Sequence, residues 1–371
     1  TIRRPNAKPI IINGNMAVAQ RGTSTTSVTN GNSGYITCDR MRFNESGTMG
    51  AALTITQESL TSGNAFLNGF ANAYKVDVTT ADGSPDADDW SRLNMRFEGQ
   101  DVQMFKKGTA NAEKFTLAFW VKATKTGTNT IELYDNDNNR SVNGSYTIST
   151  TNTWEHKVVN FPADTTGAFG DDNAESLRIT WTLSAGSNYS SGTLASSWGS
   201  PTTANAAAGQ VNNFDSTSNN FHITGIQLEV GEYSSTTLPP FQHESFADNL
   251  ARCQRYYNIF GNATGKVLGM ASFYSTSAAY VGPLVYPVEM RSSPTLTITG
   301  GSGDGETTAG YAINHSSSND WFATFSSSDT TTKICILYVN SGVSAADGDA
   351  GRGKTGDSSG NVGKIESSAE L

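Results

Sequence analysis

Positive charge is scarce in this chain and forms no run along it: 25 Lys and Arg stand against 34 Asp and Glu in 371 residues, a formal net charge of −9. Nucleic acid is thereby excluded as the main partner, because phosphate binding is driven by grouped Lys and Arg. Cysteine is nearly absent. Cys38, Cys253 and Cys335 are far apart, form no CxxC pair and, being 3, cannot all pair within one chain, so reduced, buried thiols are expected. No apolar run approaches 18 residues, and the start Thr1-Ile2-Arg3-Arg4-Pro5 lacks a signal peptide's apolar core, so membrane insertion is not expected and synthesis in a cytoplasm is. Only 4 His are present (156, 222, 243 and 315), with no GxSxG and no Walker motif. Nucleophilic catalysis has few starting points. Gly300 to Gly305, GGSGDG, follows a strand signal but opens no helix, so it reads as a turn.

What is present is alternation. Charged residues are only 16% of the chain and aromatics 10%, with Gly, Ser, Thr and Asn filling much of the rest. Leu93, Met95 and Phe97 share a phase, as do Phe115, Leu117, Phe119 and Val121; Tyr74, Val76 and Val78; and Leu177, Ile179, Trp181 and Leu183. A period of two marks half-buried strands. Turn signals between them, at Thr126 to Asn129 and Asp164 to Gly167, predict an all-β, antiparallel jelly-roll sandwich rather than an α/β fold. The phase slips after Ile223 at Gly225, and again around Gly99, which points to β-bulges. One helix is expected, Ser245 to Tyr257, with Phe246, Leu250, Cys253 and Tyr257 on its apolar stripe. These signals divide the chain into an extended docking arm (1–34), a sandwich (35–242), a linking helix (243–258), a C-terminal β domain (259–340) and a Gly, Ser and Asp-rich tail (341–371).

Five stretches carry a family resemblance: NGNMAVAQRGT from Asn13, CDRMRF from Cys38, LNMRFEGQDVQMFKKGTANAEKFTLAFWVKA from Leu93, ITGIQLEVGEYSSTTLPPFQ from Ile223 and RCQRYY from Arg252. Together they resemble tail-fibre and related virion proteins of tailed bacteriophages, over roughly residues 10 to 295. The resemblance implies a carbohydrate-binding-module-like jelly roll in the central region, location in the virion, a homotrimer and contact with other virion proteins. On it rests the expected function: a non-enzymatic tail-fibre, spike or head-decoration subunit, with a glycan-binding receptor module as alternative and a polysaccharide depolymerase as the least favoured one.

Candidate residues follow from chemistry. Trp90, Tyr189, Trp198 and Trp321 lie near loop-like sequence, where a ring can stack on a sugar of a host-surface polysaccharide; Trp120, Trp154 and Trp181 lie inside strand patterns and are assigned to packing. Ile10, Ile11 and Ile12 are the docking candidates of the arm. A glycan hydrolase needs two carboxylates about 5 to 10 Å apart, but Asp82, Asp86, Asp88 and Asp89, Asp135 and Asp137, and Asp171 and Asp172 sit in turn-forming sequence that explains them as solvated. The run Asp135 to Asn139 has the oxygen ligands calcium prefers, yet Arg140 stands where an EF-hand needs Gly and Tyr146 where it needs Glu. No catalytic residue, cofactor or metal ligand is assigned.

Overall fold

The computed structural model describes residues 8–316, 318–356 and 362–371. It divides into two compact units, one ending at Asn249 and taking in Leu371, the other Leu250–Glu370. The first unit is the antiparallel β-sandwich. One sheet runs β1 (Ser24–Val28), β4 (Ala52–Ser59), β5 (Asn72–Thr80), β12 (Asn220–Val230), β7 (Phe115–Ala123), β10 (Glu155–Phe161). The facing sheet runs β2 (Gly34–Tyr35), β3 (Arg42–Ser46), β6 (Trp90–Glu98), β11 (Glu175–Ala185), β8 (Gly127–Asp135), β9 (Arg140–Ile148). The apolar phase of each strand fills the space between: Leu93, Phe115, Leu117, Phe119, Val121, Ile179, Trp181 and Leu183 have no exposed surface.

The slip at Gly225 is a bulge. The β12–β7 register shifts between Thr224 and Gln227, Gly225 has φ +61°, and an added Cβ would stand 2.6 Å from the Phe70 ring, so glycine is required twice over. The slip at Gly99 is instead a pair of 3-10 turns, Gly99–Asp101 and Gln103–Phe105.

Both ends of the chain differ from expectation. Residues 8–34 are not a free arm: Ile11 and Met16 are buried in the sandwich core, and β1 pairs with β4. Asn13 ties this segment down, its amide donating to Val18 O and Asp39 O, both at 2.9 Å. Without regular strand geometry, such a segment shows no periodicity to read. Residues 1–7 of the expected arm lie outside the described residues. The tail is likewise folded where described, with β21 (Ala350–Thr355) and β22 (Lys364–Ser368) and Ile365 fully buried. Small residues hid it: a Cβ on Gly353 would come within 2.4 Å of Val281, so the close approach of the chain itself excludes side chains. Residues 357–361 of the tail are outside the description.

The second unit holds the sheets β13 (Tyr257–Gly261), β22, β16 (Thr295–Thr299) and β18 (Ser318–Phe322), β17 (Tyr311–His315), β21, β14 (Val267–Ser275), β15 (Ala278–Val285), β20 (Ile334–Val339), β19 (Ser327–Thr330). The helix runs Phe246–Gln254. It starts after Ser245, whose Oγ accepts from Asp248 N at 3.1 Å, an N-cap contact. Cys253 is buried but Phe246 is 61% exposed, so the stripe is shorter than expected, and Tyr257 belongs to β13.

Candidate functional site

The outward phase of the second sandwich sheet is polar and in register. One row reads Ser141, Tyr134, Arg178, Arg96 across β9, β8, β11 and β6; the next reads Asn143, Glu132, Thr180, Asn94, Arg42, reaching β3. Beyond them Thr182 faces Arg92, which faces Asn44. Thr180, Thr182 and Asn94 each keep only 2% of their surface exposed. This face is therefore a roofed polar floor, not a solvent-washed one.

At one end of β6 the floor meets a loop. Gly186 lets that loop approach: an added Cβ there would lie 1.9 Å from Asp86 O. Gly186 N donates to Asp89 O at 2.8 Å and Asn188 N to Ala87 O at 2.9 Å, which fixes the short helix Ser187–Ser190 and brings Tyr189 to Trp90. The two rings are 6.4 Å apart and near perpendicular, with the Arg92 guanidinium 4.4 Å from the Trp90 centroid and 5.5 Å from that of Tyr189. Two of the four candidate aromatics are thus brought together around an arginine, as cation–π geometry favours.

Three successive outward residues of β6 each carry a buried polar atom without a partner: Arg92 Nε, Asn94 Oδ1 and Arg96 Nε. Asn94 Nδ2 donates to Thr180 Oγ1 at 3.1 Å. A buried polar group without a partner costs about 1–3 kcal/mol, so three in a row on the outward phase of β6 mark a strand that gives up stability to stay polar.

The floor is also charged. Arg96 Nη1 lies 3.0 Å from Glu175 Oε2, and Arg178 Nε donates to Glu175 Oε1 at 2.7 Å while its guanidinium sits 5.2 Å from the Tyr134 centroid. Arg42 and Arg92 have no hydrogen-bond or ion-pair partner among the described residues. Burial, and for Arg42 the neighbouring Arg96, lowers the pKa of both. Burial raises the Glu132 carboxyl, against the attraction of Arg92 and Arg178. Sequence reading missed these arginines because they are dispersed in the chain; the signal was there in the polar phase of strands whose apolar phase was legible.

The remaining candidates go elsewhere. Trp198 packs against the core, its Nε1 donating to Pro162 O at 2.8 Å, and its ring lies 5.1 Å from Lys107 Nζ. That ammonium is fully buried, 3.0 Å from Asp164 Oδ2, ion-paired with Asp135 and donating to Gly167 O at 2.9 Å. Asp135 also receives Asp137 N and Asn138 N at 3.0 and 3.1 Å. The oxygen-rich turn at 135–139 does hold a cation, and it is Lys107. Trp321, on β18 of the second unit, has its ring 5.0 Å from Lys354 Nζ. Ile10 and Ile12 are half-buried beside buried Ile11.

The other sandwich sheet bears a cleft of about 420 Å³ on its outer face, lined by Trp120, His156, Gln227, Phe70, Phe241 and His243 among others. Trp120 and His156 are 5.0 Å apart, and burial lowers the His156 pKa. Trp120, assigned to packing from its strand position, is half-buried and turns outward to this cleft. Among the described residues, no group of three or more His, Cys, Asp or Glu is placed to hold a metal.

No protein-family model matches the sequence, and no curated protein matches it. Among solved structures, the enzymatically active domain of bacteriophage CBA120 tailspike protein 4 aligns at 13% identity and TM-score 0.31, over 60% of this chain and 21% of that one. A putative sugar-binding protein from Bacteroides thetaiotaomicron aligns at 13% identity and TM-score 0.30, over 60% of this chain and 100% of that one. The family 11 carbohydrate-binding module from Clostridium thermocellum aligns at 10% identity and TM-score 0.28, over 53% and 91%.

Proposed function

We propose that this chain is a glycan-binding β-sandwich protein of a phage particle, a tail-fibre, spike or head-decoration subunit that catalyses no reaction. The observation that carries the glycan reading is the row Arg92 Nε, Asn94 Oδ1, Arg96 Nε beside the Trp90–Tyr189 pair. A saccharide has hydroxyls that both donate and accept, and an apolar ring face. It answers the row with hydrogen bonds and the aromatic pair with stacking. Half-covering one large aromatic, on the order of 100 Å² at about 25 cal/mol/Å², supplies roughly 2–3 kcal/mol before ordering costs. Single sites are then weak, and repeated copies on a particle raise avidity. The virion assignment is supported by the five stretches that resemble phage tail-fibre proteins.

The test is affinity electrophoresis of the full chain through gels carrying host-surface polysaccharide. Trp90→Ala and Tyr189→Ala should each weaken retardation about tenfold, with Trp120→Ala unchanged and no new reducing ends released. No retardation of wild type overturns the reading, and reducing-end release makes the protein a depolymerase. A second location is favoured by the 420 Å³ cleft beside Trp120; loss of retardation in Trp120→Ala alone would move the site there.

A further inference from the structure

We infer that the saccharide taken by the polar floor is acidic, its carboxylate held between Arg42 and Arg96. This rests on the glycan reading and adds the ligand's charge. The chain carries a net charge of −9, yet Arg42, Arg92, Arg96 and Arg178 converge here. Arg42 lies within electrostatic reach of Arg96 and Arg178, and Glu175 is the carboxylate that they share. Glu175 is already engaged by Arg96 at 3.0 Å and by Arg178 at 2.7 Å. Three guanidiniums around one carboxylate leave positive charge uncompensated, and Arg42, with no ion pair of its own, is where it is concentrated. Glu98 follows Arg96 on the outward phase at the end of β6, and its Oε2 accepts from Gln100 Nε2 at 2.6 Å.

The remaining acid of the floor, Glu132, is in the Asn94–Arg42 row, two strands from Asn94 and three from Arg42. It faces Arg92 and Arg178. The floor is therefore divided. Around Arg92 it offers balanced charge and two rings, suited to a sugar's body. Around Arg42 it offers unbalanced planar guanidinium, which matches a carboxylate with paired hydrogen bonds. Arg96 Nε is a further buried donor without a partner; Asn94 pairs in register with Arg42, but its partnerless atom is the acceptor Oδ1, which suits a sugar hydroxyl and not the carboxylate.

The experiment compares the full chain on three probes: polygalacturonate, hyaluronan and carboxyl-reduced polygalacturonate, the last being the same backbone made neutral. Wild type should bind at least one acidic polymer at least tenfold better than the reduced one, and Arg42→Gln should erase that preference while melting within a few degrees of wild type. Arg42→Lys, which keeps the charge but not the fork, should retain part of it. Equal binding of acidic and reduced polymers overturns the inference and leaves glycan binding standing. Binding of none overturns both. If Arg42→Gln fails to fold, wild-type discrimination between the acidic and reduced polymers still decides.

Discussion

Replacing Lys107 by Met should lower the stability of the sandwich by several kcal/mol, since the substitution keeps the stem and deletes one charge from a site closed to water. Lys107 and Asp135 side chains have no exposed surface and Asp164 only 4%. After the substitution Asp164 keeps Arg140, bound through two hydrogen bonds of 2.8 and 3.0 Å. Asp135 keeps neutral donors alone, from Asp137 and Asn138. Removing one partner of a buried ion pair costs about 3–5 kcal/mol, because the other charge stays buried. At about 2–4 °C per kcal/mol for a unit of this size, the melting temperature should fall by roughly 6–20 °C.

The control is Lys114→Met, whose ion pair with Glu232 is about half exposed on both sides and should contribute under about 1 kcal/mol. Asp135→Asn added to Lys107→Met should recover part of the loss, which a double-mutant cycle reads directly. The acid limb gives a second check. Burial pushes the Asp164 carboxyl up, but hydrogen bonds from Arg140 and Lys107 outweigh it and leave the pKa lowered. Its stabilisation is then fully present above the unfolded carboxylate value of about 3.9 and is lost as pH falls through the lower folded value. Without Lys107 the folded value rises toward the unfolded one, so the stability that Asp164 loses on acidification should be smaller and should be complete at a higher pH. A Lys107→Met protein melting within 2 or 3 °C of wild type would refute the reasoning.

Ile11→Asp should cost about 3 kcal/mol or more in urea unfolding, since Ile11 is 2% exposed in the core and an unpaired charge there has no partner; wild-type stability would restore the free-arm reading. Light scattering at micromolar concentration should give the mass of three chains, the assembly implied by the resemblance to tail-fibre proteins. A stable single-chain mass would overturn it.

The sandwich was legible because its core strands alternate strictly, and Leu177 to Leu183 needed no more than a period of two. The bulge at Gly225 was legible because a glycine coincided with the slip. The ends were not. Ile11 and Met16 are buried from irregular backbone, and Gly351 and Gly353 of β21 have no side chain to alternate. Of the site, Trp90 and Tyr189 were found as rings near loops, while Trp198 carried the same signal and packs over Lys107. Arg42, Arg92, Arg96 and Arg178 were passed over because a cluster built across strands leaves no run in the chain.

That oversight bears on why the floor is there. A sheet covered on both faces usually becomes hydrophobic throughout, since buried polar groups cost stability unless each is satisfied. In this sheet the inner phase follows the rule and the outer one does not: Asn94, Thr180 and Thr182 are as buried as many core residues, yet polar, and β6 keeps three polar atoms without partners. Apolar residues at these positions would give a more stable sandwich. Places where a chain departs from the pattern that would stabilise it most are where function is expected. The departure here is confined to the outward positions of adjoining strands, framed by Tyr134 at one end and by Trp90 and Tyr189 at the other. A surface left polar for solubility alone would show exposed Lys and Glu; buried Asn, Thr and Arg with unfilled hydrogen bonds are instead the departure on which the proposed glycan site rests.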